Sequence, residues 1–519
     1  MSAAYAEPNP VAQHLFEHAR TLGDEVERAL CEARMLKATH AEVEAFVDTK
    51  GREWARLLLE AQFALRAAQE RRIEVVGADG VERAAVRETE RHLETVVGRV
   101  LVSRLGYQRT GCVDLHPMDA TLSLPRDLYS HGVRRMVAKE SARASFDEVV
   151  ELIRDYSGAQ IAKRQVEQLA VRAAMDFDAF YAQRRAEQDN ERGLMVISTD
   201  GKGIVMRHED LREATRLAAE KSANKLQTRL TPGEKSNRKR MAQVATVYTI
   251  EPWHRTCADV LHTLRDESTE TKRPRPVDKR VWASIAKEPR KVIRAAFEEA
   301  CRRDPKKQRR WVVLIDGEPK QLRAVKLEAR RAGVEVTLVL DVVHVLEYLW
   351  LAARALFSGS TPEAETWVSD RLLALLTGRS GGDVAATIRW WAKSRAAQLD
   401  VAGRKAIAKA CGYLADRSRT RLMRYADALR DGLPIATGVI EGACRYLVKD
   451  RMDRTGARWS LCGAEAVLRL RSLRASGDFD AYWLFHLQQE HSRNHAVRYA
   501  GAAIPDPLPA RGRHLRAVN

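Results

Sequence analysis

Three acidic residues stand where chemistry could be done. Asp200 closes the apolar run MVISTD and is followed by GKG. Asp316 closes WVVLID and is followed by GEP. Glu441 lies in TGVIEGACRYLVKDRM, a stretch of helical pattern. A carboxylate at the end of a buried strand is costly unless something pairs with it or coordinates it. Hard cations such as Mg2+ (or Mn2+) are held by few carboxylates, which leave room for waters and phosphate oxygens. Two such strand ends and a distant helical Glu are what a site for two divalent ions requires. Two ions together can activate an attacking oxygen and stabilise a leaving one in phosphodiester cleavage. Each Asp taken alone can equally cap the loop or helix after its strand, a common use of Asp. Only the three together, weighed with the charge of the chain, point to chemistry.

The chain of 519 residues carries 88 Lys and Arg against 70 Asp and Glu, a formal net charge of +18. That excess is spread through the sequence and suits a polyanionic partner, nucleic acid first among them. At 45% hydrophobic and 30% charged residues the composition can bury real cores and is not that of a disordered chain. The length suggests about three or four domains. Seven scattered cysteines without a CxxC pair indicate neither a zinc knuckle nor a disulfide framework. The N-terminal segment lacks the basic and apolar regions of a secretory signal, and no apolar run approaches a membrane span. The setting expected is a soluble, reducing, bacterial cytoplasm, with no membrane partner.

The elements that must hold the acids follow from periodicity. Residues 1–98 read as a helical N-terminal region, with long amphipathic stretches at LFEHARTLGDEVERALCEA and EWARLLLEAQFALRAAQERR. Residues 99–190 read as a small β element and a helical pair: SFDEVVELIRDYSG opens with a capping box at Ser145 and Glu148, breaks at Gly158, and resumes as AQIAKRQVEQLAVRAAMDF. With Lys163 and Arg164 near the start of the second helix, the pair could be a DNA-reading helix-turn-helix; an ordinary helical hairpin with a solvated basic face fits as well. From residue 191 strands alternate with helices, with LMVISTD, RMAQVATVYTIEPW, WVVLID and VEVTLVL as strands, SIAKEPRKVIRAAFEEACRR as a helix, and TETKRPRPVDKR as a basic loop. This pattern is a mixed α/β core, in which the functional crevice lies at the carboxyl ends of strands. Residues 351–436 read as a helical insertion, with Trp390 and Trp391 as core side chains, before the Glu441 helix and a basic tail, ARGRHLRAVN.

The segments STDGKGIVM, VVLIDGEP, LDVVHVLEYLW and LPIATGVIEGACRYLVKDRMDRTGARWS give the chain, over roughly residues 95–500, a resemblance to bacterial insertion-sequence transposases of the ISKra group, in the Mutator/hAT-like branch of DDE transposases. The resemblance implies an RNase H-like core interrupted by a helical insertion, with residues 191–350 and 437–519 as its two parts. The first strand of such a core carries the first Asp, the fourth strand the second, and the Glu follows the insertion; Asp200, Asp316 and Glu441 correspond in order and setting. That branch also has a Cys-or-Asp, two residues, His signature after the second Asp, which Asp341 and His344 fit. Asp341 also ends a strand and could itself be the second catalytic carboxylate; the downstream place of the signature favours Asp316, with Asp341 as a helix N-cap and His344 beside the substrate. Members of the group can carry paired cysteines before the core, but Cys112 stands alone, so no zinc is expected.

The resemblance further implies hydrolysis of a phosphodiester at the transposon end and attack of the freed 3′-OH on target DNA, both in-line displacements dominated by positioning and charge stabilisation. Two Mg2+ (or Mn2+) ions held by Asp200, Asp316 and Glu441, the terminal inverted repeats and target DNA as partners, and a homo-oligomer on the DNA complete that expectation. Arg451, Arg454, Arg458 and Trp459 follow Glu441 closely and are candidates for phosphate and base-stacking contacts, each equally readable as part of a solvated basic helix end. A nuclease with the same core that only cuts, and a non-catalytic DNA-binding protein descended from a transposase, are the alternatives.

Overall fold

The structure is a computed structural model that describes residues 10–184, 193–221, 238–265, 273–357, 359–436, 438–454 and 456–508. Much of the basic excursion after HEDLREATRL, the start of TETKRPRPVDKR and the C-terminal basic tail lie outside the described residues. The chain divides into two compact units, Met1–Tyr181 with Phe479–Asn519, and Ala182–Asp478.

The first unit begins with helices α1 (Glu17–Cys31) and α2 (His40–Gln69). Thr39 opens α2 through a capping box with Glu42, which satisfies two backbone donors that a helix start otherwise leaves bare. Residues expected to stay helical up to 98 instead form a strand: β1 (Ala85–Thr95) pairs antiparallel with β2 (Gly98–Gln108) through a two-residue turn. The charges of AVRETERHLET resemble a helix surface, but β2 presents a row of buried Val100 and Val102 beside Leu93 and Phe63, and this packing sets the local state.

Three helices follow, α3 (His131–Ser141), α4 (Phe146–Ser157) and α5 (Lys163–Ala173). Val133, Val137, Val149, Ile153, Val166 and Leu169 close a common core among them. The capping box at Ser145 forms, with Ser145 N donating to Glu148 at 2.6 Å and Glu148 N to Ser145 Oγ at 3.2 Å. Gly158 ends α4 at φ +67°, the left-handed conformation that glycine adopts at least cost. A C-terminal helix, Phe479–Asn494, belongs to this unit and not, as its position after Glu441 suggested, to the second part of the α/β core.

The second unit is a mixed α/β domain around a five-stranded sheet of order β5-β4-β3-β6-β7: β3 (Leu194–Val205), β4 (Lys239–Ile250), β5 (Val277–Ser284), β6 (Trp311–Ile315) and β7 (Val336–Leu340). β3, β6 and β7 run parallel, and β4 is antiparallel to both β3 and β5. The central strands are buried on both faces, as their near-continuous apolar runs require. β5 was not foreseen, because its first half reads as the end of a Pro-rich basic loop and its second half as the start of a helix; that helix, α6 (Pro289–Arg303), begins only at Pro289. α7 (Pro319–Ala332) links β6 to β7, and α8 (Val342–Leu356) leaves β7. The helical insertion comprises α9 (Pro362–Leu376), α10 (Gly381–Ser394) and α11 (Val401–Arg419). Half-buried Trp391 packs edge-on to the buried Trp367, but Trp390, though edge-on to Trp391, is 65% exposed and is not a core side chain. α12 (Gly438–Ala443) carries Glu441, runs into a π-helical turn at Cys444–Lys449, and precedes α13 (Leu461–Ala475).

α13 is anchored to the end of β5 by one buried carboxylate. Glu465 accepts from Ser284 Oγ at 3.0 Å, Ile285 N at 2.9 Å and Ala286 N at 3.1 Å, and from Arg469 Nε at 3.2 Å. Glu465→Ala would leave those buried donors bare, so a loss of about 3 kcal/mol in chemical denaturation is expected, against almost none for an exposed Glu such as Glu335→Ala.

Candidate active site

Asp200 and Asp316 arrive at one place because β3 and β6 are adjacent and parallel. Their register pairs Ser198 with Leu314, and two residues on from each, on the same face by the two-residue alternation, stand Asp200 and Asp316. β6 ends just before Asp316, but β3 does not end at Asp200 as its apolar run suggested: it continues, paired with β4, to Val205. Both line one cleft of about 770 Å3. Asp200 Oδ1 accepts from Gly201 N at 2.6 Å, and its Oδ2 takes the Cys444 thiol at 3.2 Å. Asp316 Oδ1 accepts from Glu318 N at 2.8 Å, while its carbonyl accepts from Tyr413 Oη at 3.0 Å. The turn after Asp316 needs glycine: Gly317 has φ +84°, and a Cβ there would come within 2.6 Å of Arg417 Nε and 2.8 Å of Leu340 Cδ1. Burial, and behind it the neighbouring charge of Asp200, lifts the Asp316 carboxyl above the usual carboxylate range, against the backbone donor of Glu318.

Asp341 is placed otherwise. It is completely buried, caps α8 by accepting from Val343 N at 2.8 Å, and its own N–H donates to Ile315 O at 2.9 Å. His344 lies in the first turn of that helix, its Nδ1 3.3 Å from Glu347 Oε2. Burial draws the imidazole's pKa down, but the carboxylates of Asp341, Glu347 and Asp316 outweigh it and raise the pKa.

Glu441 is exposed on the short α12. Partial desolvation of its carboxyl, with Glu347 and Asp200 nearby, raises its pKa against the opposing influence of His344. Asp316 and Glu441 thus each feel the charge of Asp200 and of His344. Among the described residues, however, no three His, Cys, Asp or Glu side chains are gathered closely enough to hold a metal ion together. Asp200 and Asp316 supply hard oxygen donors in register, which fits a cation such as Mg2+; Glu441 is not gathered with them into one metal-binding group.

The residues expected to meet DNA divide sharply. Lys163 and Arg164 are exposed at the start of α5, where Lys163 Nζ pairs with Asp147 at 2.6 Å. Arg454 and Arg458 are exposed. Arg451 and Trp459 are buried, 3% and 6% exposed, and so do not offer the expected phosphate and stacking surface. Trp459 is locked by backbone pairing beside the end of β3, with its N–H to Val205 O at 3.1 Å and its Nε1 to Met452 O at 3.0 Å, and the Arg451 guanidinium lies 4.7 Å over its ring. The apolar contact of the indole with the sheet end outcompetes exposure to solvent.

Several functional side chains escaped the sequence reading. Gln321 Nε2 donates to Thr199 O at 2.7 Å, and Gln243 Nε2 to Asp200 O at 3.0 Å, so two glutamines brace β3 around Asp200. Exposed Arg212, Lys320 and Arg323 line the same cleft as the two Asp residues. Cys444, three residues after Glu441 and so on the same helical face, was the one signal available in the sequence. The fold and site therefore define a mixed α/β protein with two in-register carboxylates on adjacent parallel strands, lining a cleft that carries both basic and acidic side chains. Among known proteins, no family model and no curated protein matches the chain.

Proposed function

We propose that this chain is a DDE transposase with an RNase H-like catalytic core, cutting transposon ends and joining them to target DNA. The observation that carries the reading is the in-register placement of Asp200 on β3 and of Asp316 just past the carboxyl end of its parallel neighbour β6, with Cys444 tying the Glu441 segment to Asp200. The sheet order supports it: a first strand at the centre, flanked by an antiparallel strand on one side and two parallel strands on the other, with the second acid after the fourth strand and the third beyond a helical insertion. Arg212, Arg290, Lys320 and Arg323 in the cleft, set beside Glu288 and Glu318, and the net charge of +18 suit a phosphate backbone.

Asp200, Asp316 and Glu441 would hold the divalent cations, which supply activation of the attacking oxygen and charge stabilisation of the leaving one. Arg212, Lys320 and Arg323 bind the phosphates flanking the scissile bond and fix the strand in line. His344 donates a hydrogen bond toward the substrate from the rim of the site. The exposed face of α5, with Lys163 and Arg164, reads the element's inverted repeats as part of a three-helix unit. Two copies of the chain, one at each end, would form the working assembly on DNA.

A strand-transfer assay with labelled end DNA, a target plasmid and Mg2+ or Mn2+ tests the reading. Joined products are expected. Cut ends without joining would indicate a nuclease of the same core, and DNA binding with neither product would indicate a non-catalytic descendant.

A further inference from the structure

A second cleft, of about 420 Å3, lies within the unit formed by Met1–Tyr181 and Phe479–Asn519, beyond the reach of the acidic site's residues in sequence and unit. Four guanidinium groups line it, from Arg91, Arg104, Arg126 and Arg498, against two carboxylates, Asp114 and Asp119. Both carboxylates are already engaged. Asp119 takes Arg104 Nε at 3.0 Å and Arg91 Nη1 at 3.7 Å. Asp114 takes the Gln108 amide and stands 4.0 Å from Arg87 Nη2.

Arg126 and Arg498 are left without an ion pair or side-chain hydrogen bond among the described residues. They also stand close enough to repel: after burial, the charge of Arg126 is what most depresses the Arg498 guanidinium. Arg104 adds an unspent donor, for it is only 8% exposed and its Nη1 has no hydrogen-bond partner. Exposed Arg126 and half-buried Arg498 thus set two unpaired like charges at the mouth of the pocket, beside a bare buried N–H of Arg104, an arrangement that an anion would relieve.

We propose that this pocket binds a phosphoryl group, with Arg126, Arg498 and Arg104 as its ligands. Guanidinium forks match phosphate oxygens in pairs, and a phosphoryl group has enough oxygens to accept from several forks at once, which a carboxylate lacks. The cavity exceeds a bare anion and leaves space for the rest of a nucleotide. His495 Nε2–H donates to Leu124 O at 2.8 Å, which fixes its ring at the wall of the pocket. The phosphoryl group can come from a nucleic-acid strand or from a free phosphate compound. The proposal does not depend on the transposase reading.

The test uses the full chain and the double variant R126A/R498A. Neither side chain leaves a partner behind, so the variant should fold as the parent does, which far-ultraviolet circular dichroism checks; R126K/R498K, which keeps the charge but loses the forks, is the second variant. Calorimetric titration with inorganic pyrophosphate, and anisotropy with a short labelled DNA duplex over a salt series, are the two readouts. Pyrophosphate binding to the parent that weakens about tenfold or more in the alanine variant, and partly in the lysine variant, is expected. If the natural source is nucleic acid, the alanine variant should also flatten the log-affinity against log-salt slope by about two; an unchanged DNA slope with lost pyrophosphate binding assigns the pocket to a free phosphate compound. Parent and alanine variant alike in both readouts, or no binding of either probe by the parent, would overturn the proposal.

Discussion

Asp316→Asn is expected to abolish DNA strand cleavage while raising the stability of the cation-free chain. The loss should reach about 10^3-fold or more, the scale on which removing one group that stabilises transition-state charge slows an enzyme. The gain in stability has a definite sign. Burial and the charge of Asp200 lift the Asp316 carboxyl in the folded chain above its unfolded value, so the ionised form is disfavoured by folding. That penalty is absent below the unfolded value, appears as pH rises through the window between the two, and is fully present at neutral pH. The Asn variant should therefore unfold at higher temperature than the parent at pH 7, and the difference should vanish in acid below the ordinary Asp range of about 4. Glu441→Gln should lose activity to the same degree. Asp341→Asn is the contrast: an amide oxygen still accepts from Val343 N, so the helix cap should weaken by about 1 kcal/mol or less with residual activity. A dead Asp341→Asn beside an active Asp316→Asn would exchange the roles of the two residues, and full cleavage by Glu441→Gln would sink the metal-nuclease reading altogether.

Glu490→Ala should produce the largest loss of stability, about 3–5 kcal/mol in the unit that contains it. Glu490 accepts from Arg134 Nη1 at 2.7 Å, and Arg134 is 3% exposed, so truncation strands a buried guanidinium. The same helix carries His486 and Arg493, which bind Asp176 at 2.7 Å and 3.0 Å. Burial pushes both the Asp176 and Glu490 carboxyls up, but the hydrogen bonds from His486 and Arg493 to the first, and from Arg134 to the second, outweigh it and hold both below the ordinary range. Their stabilisation is therefore full above the unfolded carboxylate values and fades as pH falls through the lower folded ones. Urea titrations at pH 7 and pH 3 check this: the parent should lose much of its advantage over Glu490→Ala at the lower pH, and equal stability of the two at pH 7 would show that the pair contributes nothing. One consequence concerns truncation. Removing residues 1–190 to test recognition of the element's ends would also strand Phe479–Asn494, whose Tyr482 Oη donates to Ala173 O at 2.6 Å, so point substitutions at Arg164 and Gln168 on the exposed face of α5 are the cleaner probe.

Local signals in the sequence were sufficient to place the strands that carry Asp200 and Asp316, because MVIST and WVVLI are apolar on both faces, but they misplaced the end of the first, since the GKG that reads as a break stays extended against β4 to Val205. They were sufficient also for α4 and α5, whose capping box and Gly158 break are short-range chemistry that the chain carries with it wherever it folds. Strand β1 was not legible, since eleven residues, five of them charged, take the extended state only once β2 offers a ladder and an apolar face. β5 was hidden for a similar reason, its two halves borrowing the character of the loop before it and the helix after it. Nor could spacing separate Asp316 from Asp341, both strand-ending acids; the register of β3 with β6 puts one on the cleft, and the N-terminus of α8 takes the other into full burial. The identity of each acid and its local setting were thus determined by sequence, because side-chain type and short-range periodicity are local properties. Which acids face one another, that Trp459 is sealed against the sheet, and that the last helix returns to the first unit were decided by tertiary structure alone, because strand pairing and burial join residues hundreds of positions apart.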